Sequence, residues 1–163
     1  MELLTRPLGI SGLRITQVGF GAWAIGGGGW SYGWGSQDDT DSVAAIKHAV
    51  ASGINWVDTA AIYGLGHSEE VVGRALREIP AGERPYVFTK GGQIADRSRP
   101  FEEAQHNLRP ESIRKEVEAS LRRLGVDRID LYQFHWPDAI GTPVEESWGE
   151  MVRLIQEGKV RAG

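Results

Sequence analysis

The chain has 163 residues, of which 40% are hydrophobic and 25% charged, enough for one domain with a sizeable core. Its net charge of -4, with no run of like charges, weighs against a nucleic-acid or anionic-membrane surface, and the absence of cysteine excludes thiolate catalysis, disulfides and cysteine metal sites. The opening MELLTRPLGI lacks the apolar core and cleavage site of a signal peptide, and no stretch approaches the roughly 18 apolar residues of a membrane span, so the expectation is a cytoplasmic protein with no membrane partner.

In chain order, LTRPLGISGLRITQV has short β-type runs around Gly9 and Gly12 and reads as a hairpin. VGFGAW is a short apolar strand, and DSVAAIKHAVASG is a helix that Gly53 stops. INWVDTA is a second strand. SEEVVGRALREI is a second helix, with Ser68 as N-cap and Glu69 and Glu70 at its positive end. YVFTKGG is a third strand. PESIRKEVEASLRRLG is a third helix: Ile113, Val117, Leu121 and Leu124 fall at helical spacing, Pro110 suits the first turn, and Arg109 is a poor cap. RIDLYQFHW is a fourth strand. PVEESWGEMVRLIQEGK is a fourth helix, with Thr142 and Glu145 forming a capping box and Gly158 ending it.

Short apolar strands alternating with helices predict a parallel sheet covered by helices. An open doubly wound sheet and a (β/α)8 barrel compete. GFGAWAIGGGG does not place a G-x-G-x-x-G at the start of a helix, although Asp58 could mimic the ribose-binding acid of a dinucleotide fold. The long Gly/Trp loop suits a barrel, whose strand-end loops grow freely. A barrel takes about 250 residues. This chain carries four strand–helix units and then KVRAG, the start of a fifth strand. Residues 1–163 therefore read as a single partial barrel domain cut at strand five. The alternative is a natural half-barrel that pairs with a second copy.

Strand parity puts Asp58 on the face of Trp56 and Ile54, Lys90 with Phe88 and Tyr86, and His135 with Gln133 and Leu131. Three consecutive strands thus end in an ionisable group at the rim where parallel sheets build their sites. Singly, Asp58 reads as a turn cap, Lys90 as a solvated loop residue, His135 as a core histidine and Tyr63 as packing. Jointly they read as a site. A buried lysine needs a counter-charge, which Asp58 supplies. An ammonium beside a phenol favours the phenolate and makes Tyr63 a readier proton donor. His135 would donate to a carbonyl oxygen, so the four would polarise a carbonyl and protonate the oxyanion. None supplies electrons, so reduction would need a cofactor such as a nicotinamide.

These residues sit in stretches that resemble the N-terminal half of the aldo-keto reductase family: VGFGAWAIGG, GINWVDTAAIYGLGHSEEVVGRAL, VFTKGG, RPESIRKEVEASLRRLGVDRIDLYQFHWPD and EGKVRAG. They cover nearly the whole chain in order. The resemblance implies a (β/α)8 barrel with a hairpin across its bottom and NADPH-dependent reduction of aldehydes or ketones. Tyr63 would be the general acid, Lys90 paired with Asp58 its tuner, and His135 the group that orients the carbonyl. Gly21, Ala22 and Trp23, with Asp58 and His135, fall where NADPH/NADP+ would be contacted. In the family, a Ser-Asn pair after strand five and later loops hold the nicotinamide amide and the phosphates. The chain stops at Gly163 before these, so weak NADPH affinity and poor solubility are expected of it alone.

Trp23, Trp30 and Trp34 are expected to line the mouth as walls for a small carbonyl substrate, with Tyr63, His135 and Trp136 beside them. Residues 91–109 read either as a lid over that mouth or as a disordered surface loop. His67 and His106 are assigned nothing specific, and no spacing suggests a metal. A non-catalytic regulatory or binding subunit on the same scaffold is the alternative function. A third is a lyase using Lys90 as a Schiff base, which Asp58 argues against.

Overall fold

The computed structural model describes residues 3–163. The expected hairpin opens the fold, β1 (Thr5–Pro7) antiparallel to β2 (Arg14–Thr16). Next come β3 (Phe20–Gly21), α1 (Asp39–Ala51), β4 (Trp56–Asp58), α2 (His67–Glu78) and β5 (Tyr86–Gly91). A small antiparallel hairpin, β6 (Gln93–Ile94) and β7 (Gln105–His106), lies in the connection to α3 (Pro110–Leu124). The chain continues through β8 (Ile129–Phe134), α4 (Val144–Gln156) and β9 (Val160–Ala162).

One sheet carries the strands in the order β3-β4-β5-β8-β9, and every pair in it is parallel. Parallel neighbours need a crossover, and each is made by a helix. The helices lie on one face. Val57, Val87 and Tyr132 point to that face and are nearly inaccessible, packed with Val72, Leu76, Ile113 and Val117 of α2 and α3. Trp56, Asp58, Lys90, Leu131 and Gln133 alternate with them onto the other, concave face and are only half-buried. This is half of a (β/α)8 barrel, with the concave face corresponding to the barrel interior.

The hairpin closes the bottom of the arc through two side chains of the second strand unit. Asn55 Oδ1 accepts from the Thr16 amide at 2.8 Å, and its Nδ2 donates to Arg14 O at 2.9 Å. Trp56 Nε1 donates to Thr16 O at 2.9 Å, and its ring packs on Phe88 with centroids 5.1 Å apart.

Three helix starts differ from the sequence reading. α1 begins at Asp39, where Asp38 is the cap and accepts from the Thr40 and Asp41 amides. α2 begins at His67 after a left-handed Gly66, so Ser68 is not its N-cap. Ser68 is fully buried; its hydroxyl donates to Ala22 O at 2.7 Å and pairs with Thr59 Oγ1 at 2.9 Å. The Thr142–Glu145 capping box does not form. α4 starts at Val144 with Pro143 before it, and the Thr142 amide instead donates to Asp138 at 2.8 Å. In α2 tertiary partners take the capping hydroxyl, whereas before α4 the competitor is local, Asp138 four residues back. Gly53 and Gly158 follow α1 and α4 as expected, and Arg109 makes no side-chain cap on α3.

Candidate active site

Lys90 stands near the end of β5 and reaches across the rim. Its Nζ donates to Asp58 Oδ2 at 2.6 Å, to Thr59 O at 2.9 Å and to Tyr63 Oη at 3.4 Å. An ammonium has three N–H donors, and each is directed at an oxygen. The Lys90 side chain is 14% exposed and that of Asp58 28% exposed, so the pair is shielded enough for the interaction to be strong without being sealed from solvent. Gln133, opposite Lys90 in the β5–β8 register, approaches the other oxygen, Asp58 Oδ1, at 3.4 Å.

Tyr63 is not on a strand. It follows β4 in a tight turn, Tyr63–Gly66, in which Gly64 and Leu65 both have left-handed backbone angles. For a branched apolar residue such as Leu65 this is strained. The turn is held from outside: Arg97 donates to Leu65 O at 2.7 Å. Gly64 also lies against the backbone of Gly26, and a side chain on either would collide with the other's main chain. This close approach locks the loop after β3 to the loop that carries Tyr63. The result is a ring enclosed by aromatics: Trp23 stacks on it at 5.9 Å, and Trp30 and His135 approach at 6.4 and 5.6 Å.

His135 lies one residue past the end of β8, and its amide donates to Gly91 O at 2.8 Å. Burial, helped by the Lys90 charge, pushes the imidazole down to about 4. It is therefore neutral at neutral pH and keeps one N–H to donate. Its Nδ1 is buried and has no partner among the described residues.

Tyr63 and His135 form the floor of a cleft of about 410 Å³, walled by Trp23, Trp30, Tyr32 and Trp136. Trp30 is 5% exposed and belongs to a second small core with Ala60, Ile62 and Ala104. Trp34 does not line the cleft: it is 71% exposed and packs on the far side of Trp23, with centroids 5.3 Å apart. Ala22 is fully buried, its amide donating to Asp58 O, so it holds the rim turn and does not face the cleft.

Residues 91–109 are neither a free lid nor a structureless loop. The β6–β7 hairpin supplies Gln93, Glu103 and His106 to the cleft wall. His106, assigned no role from sequence, stacks on Trp136 with centroids 5.6 Å apart and planes 16° apart. Only the pairing of β6 with β7 across the intervening loop brings it there, and the local sequence gives no sign of that pairing. His67 pairs with Asp39 at 2.8 Å, away from the cleft.

A family model described as the aldo/keto reductase family matches residues 17–163. A protein of Escherichia coli (strain K12) named NADH-specific methylglyoxal reductase is 41% identical, the match covering 96% of this chain and 49% of that protein. The solved glycerol dehydrogenase of Gluconobacter oxydans superposes with a TM-score of 0.82 at 46% identity, over 98% of this chain and 47% of that one. An aldo-keto reductase of Klebsiella pneumoniae solved in complex with NADPH gives 0.69 at 29% identity, over 92% and 45%. The chain thus spans about half the length of the relatives it matches.

Proposed function

The chain belongs to the aldo/keto reductase family, and on that premise we propose that it forms the proton-delivering part of a nicotinamide-dependent carbonyl reductase, residues 1–163 acting as one barrel-type unit. The observation that carries this reading is the contact of Lys90 Nζ with both Asp58 and Tyr63 Oη. The phenol oxygen accepts from the ammonium, which leaves the phenol proton free to be donated into the cleft. The neutral imidazole of His135, half-buried beside Tyr63 on the same floor, orients the carbonyl oxygen toward Tyr63. Asp58 neutralises Lys90, so proton delivery happens in a site of little net charge. As the oxygen of the substrate gains charge, Tyr63 gives up its proton and Lys90 stabilises the phenolate that remains.

The residues at the rim fit a flat, amide-bearing ring. Gly21 presents no side chain, and the space beside it is open. His135 beside Tyr63 and the half-open Asp58 beside Lys90 stand at the same rim. Gly21, Trp23, Asp58 and His135 would hold a nicotinamide, with Ala22 setting the turn beneath it. When bound, that cofactor supplies the hydride. NADPH is the proposed donor, although the Escherichia coli relative is named as NADH-specific. The proposed substrates are small aldehydes or ketones of a size to enter a cleft of about 410 Å³.

A Schiff-base lyase is disfavoured by the same three contacts, because every N–H of Lys90 is engaged. The test is reduction of a small aldehyde such as methylglyoxal with NADPH and with NADH in parallel. Tyr63→Phe should cut turnover by about 10²- to 10⁴-fold and leave cofactor binding, read by fluorescence titration, unchanged. Equal turnover in that variant removes Tyr63 as the acid, and an adduct trapped on Lys90 by borohydride restores the lyase.

A further inference from the structure

Behind β5, on the side away from the cleft, two carboxylates from two helices reach the strand that carries Lys90. Glu69 of α2 is fully buried. Its Oε1 accepts from Thr89 Oγ1 at 2.6 Å and its Oε2 from Arg123 Nε at 2.6 Å. Glu116 of α3 is different. Both its oxygens accept from a single backbone amide, that of Gly92, at 3.1 and 3.0 Å. No lysine or arginine nitrogen lies within ion-pairing distance of it among the described residues.

Gly92 is the junction between the two parts of the candidate site. It follows β5 directly and precedes the β6–β7 hairpin, and its carbonyl accepts from the Asn107 amide at 3.0 Å, closing that hairpin. Its φ of +93° would strain any residue but glycine, and an added side chain would press on Leu108. One residue back, Gly91 O accepts from the His135 amide at 2.8 Å, and Lys90 O accepts from the Ala61 amide at 3.0 Å. A displacement of Gly92 would move Lys90, His135 and the wall bearing Gln93 and His106 together. Beside Gly91 lies a second unsettled group. The Tyr132 hydroxyl is fully buried with no partner among the described residues, and it faces the same gap as Glu116 Oε2.

We propose that Glu116 is a titratable positioning residue for this site, holding through the Gly92 amide the junction between Lys90 and the cleft wall, and holding it more firmly when ionised. The role assigned to Lys90 rests on the carbonyl-reductase reading; the hold on Gly92 does not. A hydrogen bond to a carboxylate is shorter and stronger than one to a neutral acid. Burial pushes the Glu116 carboxyl up to about 7, against the pull of the Gly92 amide and Arg123. The groups facing it are Arg123 and Lys115 on its own helix, Glu69 on α2, Tyr132 on β8 and Arg97 from the turn after β6. A cavity of about 380 Å³, lined by Arg97, Lys115 and Glu116, gives protons a way in.

The experiment is a pH titration of the 15N-labelled chain by NMR, without cofactor or substrate. The expected result is a downfield shift of the Gly92 amide proton on raising the pH, with a midpoint near 7. The resonances of Lys90, His135 and His106 should carry a component with the same midpoint. Glu116→Gln keeps an acceptor for Gly92 and should abolish that component at all four residues. A Gly92 amide that does not titrate in the unsubstituted chain overturns the proposal without any variant. So does a midpoint that survives Glu116→Gln, since it then belongs to another group. A shift confined to Gly92 reduces Glu116 to a local cap and overturns the positioning role. If the chain reduces no carbonyl yet all four residues follow Glu116, the reductase reading fails and the positioning of these side chains stands.

Discussion

Alternate residues of β4, β5 and β8 meet two different environments. On the helix side, Val57, Val87, Thr89 and Tyr132 are at most 3% exposed and meet side chains of α2 and α3. On the concave side, Asp58, Lys90 and Gln133 are half-buried polar groups linked to one another. The same backbone serves both, because the strand period of two sends neighbours to opposite faces. The helix side is where apolar burial stabilises the fold, and the concave side is where polar groups are held ready at modest cost. The division is not clean. The helix side also buries Glu69 and half-buries Glu116, which hold the strand that carries Lys90 and the residue just after it.

The sharpest way to break the comparison is to exchange the characters of the two faces. Val87→Asp puts an unpaired carboxylate under α2 and α3, where burial of a charge without a partner costs more than about 4 kcal/mol. Loss of the cooperative urea transition is the expected outcome. On the concave side Gln133→Leu should change stability by less than about 1 kcal/mol. Comparable losses from the two would mean that the faces are not different in kind.

The next largest effect concerns chemistry alone. Tyr63→Phe removes one hydroxyl from the floor of the cleft and nothing from the core. Carbonyl reduction should fall by about 10²- to 10⁴-fold, the usual range for loss of a positioned general acid. The urea midpoint should stay close to that of the unsubstituted chain. A large drop in stability with unchanged turnover would reassign Tyr63 to packing.

Much of this division was legible in the sequence, because it depends on a short period. Parity alone put Asp58, Lys90 and His135 on one face, and the strand–helix alternation gave the parallel sheet. Tyr63 was legible only jointly with Lys90, since its turn has neither helical nor strand period. What escaped depends on contacts between distant segments. Ser68 looks like a helix cap, but its hydroxyl bonds Ala22 and Thr59. His106 and Glu116 are unremarkable in their own stretches, and only the β6–β7 pairing and the approach of α3 to Gly92 give them neighbours.

The acids on the helix side offer a smaller and pH-dependent contrast. Glu116 ionises near 7 in the fold, against 4.5 for an ordinary glutamate. Between those values the folded chain binds more protons than the unfolded one. Stability should therefore decline as pH rises from about 4.5 to 7 and level off above. The loss amounts to about 3.5 kcal/mol at most, at 1.4 kcal/mol per unit. In Glu116→Gln this part of the slope should vanish, which urea melts at pH 5 and pH 8 would read. A slope that persists unchanged would place the proton elsewhere.

The smallest effect tests the bottom of the arc, which neither face accounts for. Asn55 precedes β4 and ties the β1–β2 hairpin to the sheet through Thr16 and Arg14. Asn55→Ala leaves the Thr16 amide without its partner in a partly buried place, costing about 1–2 kcal/mol. Trp56 still holds Thr16 O, so the hairpin should stay docked on average but open more often. Hydrogen exchange should quicken at Thr16 and at the β1–β2 amides while the amides of β5 and β8 keep their protection. Equal acceleration at Lys90 would mean that the plug and the rim form one cooperative unit, and the contrast between the two faces would then be secondary to a coupling along the strands.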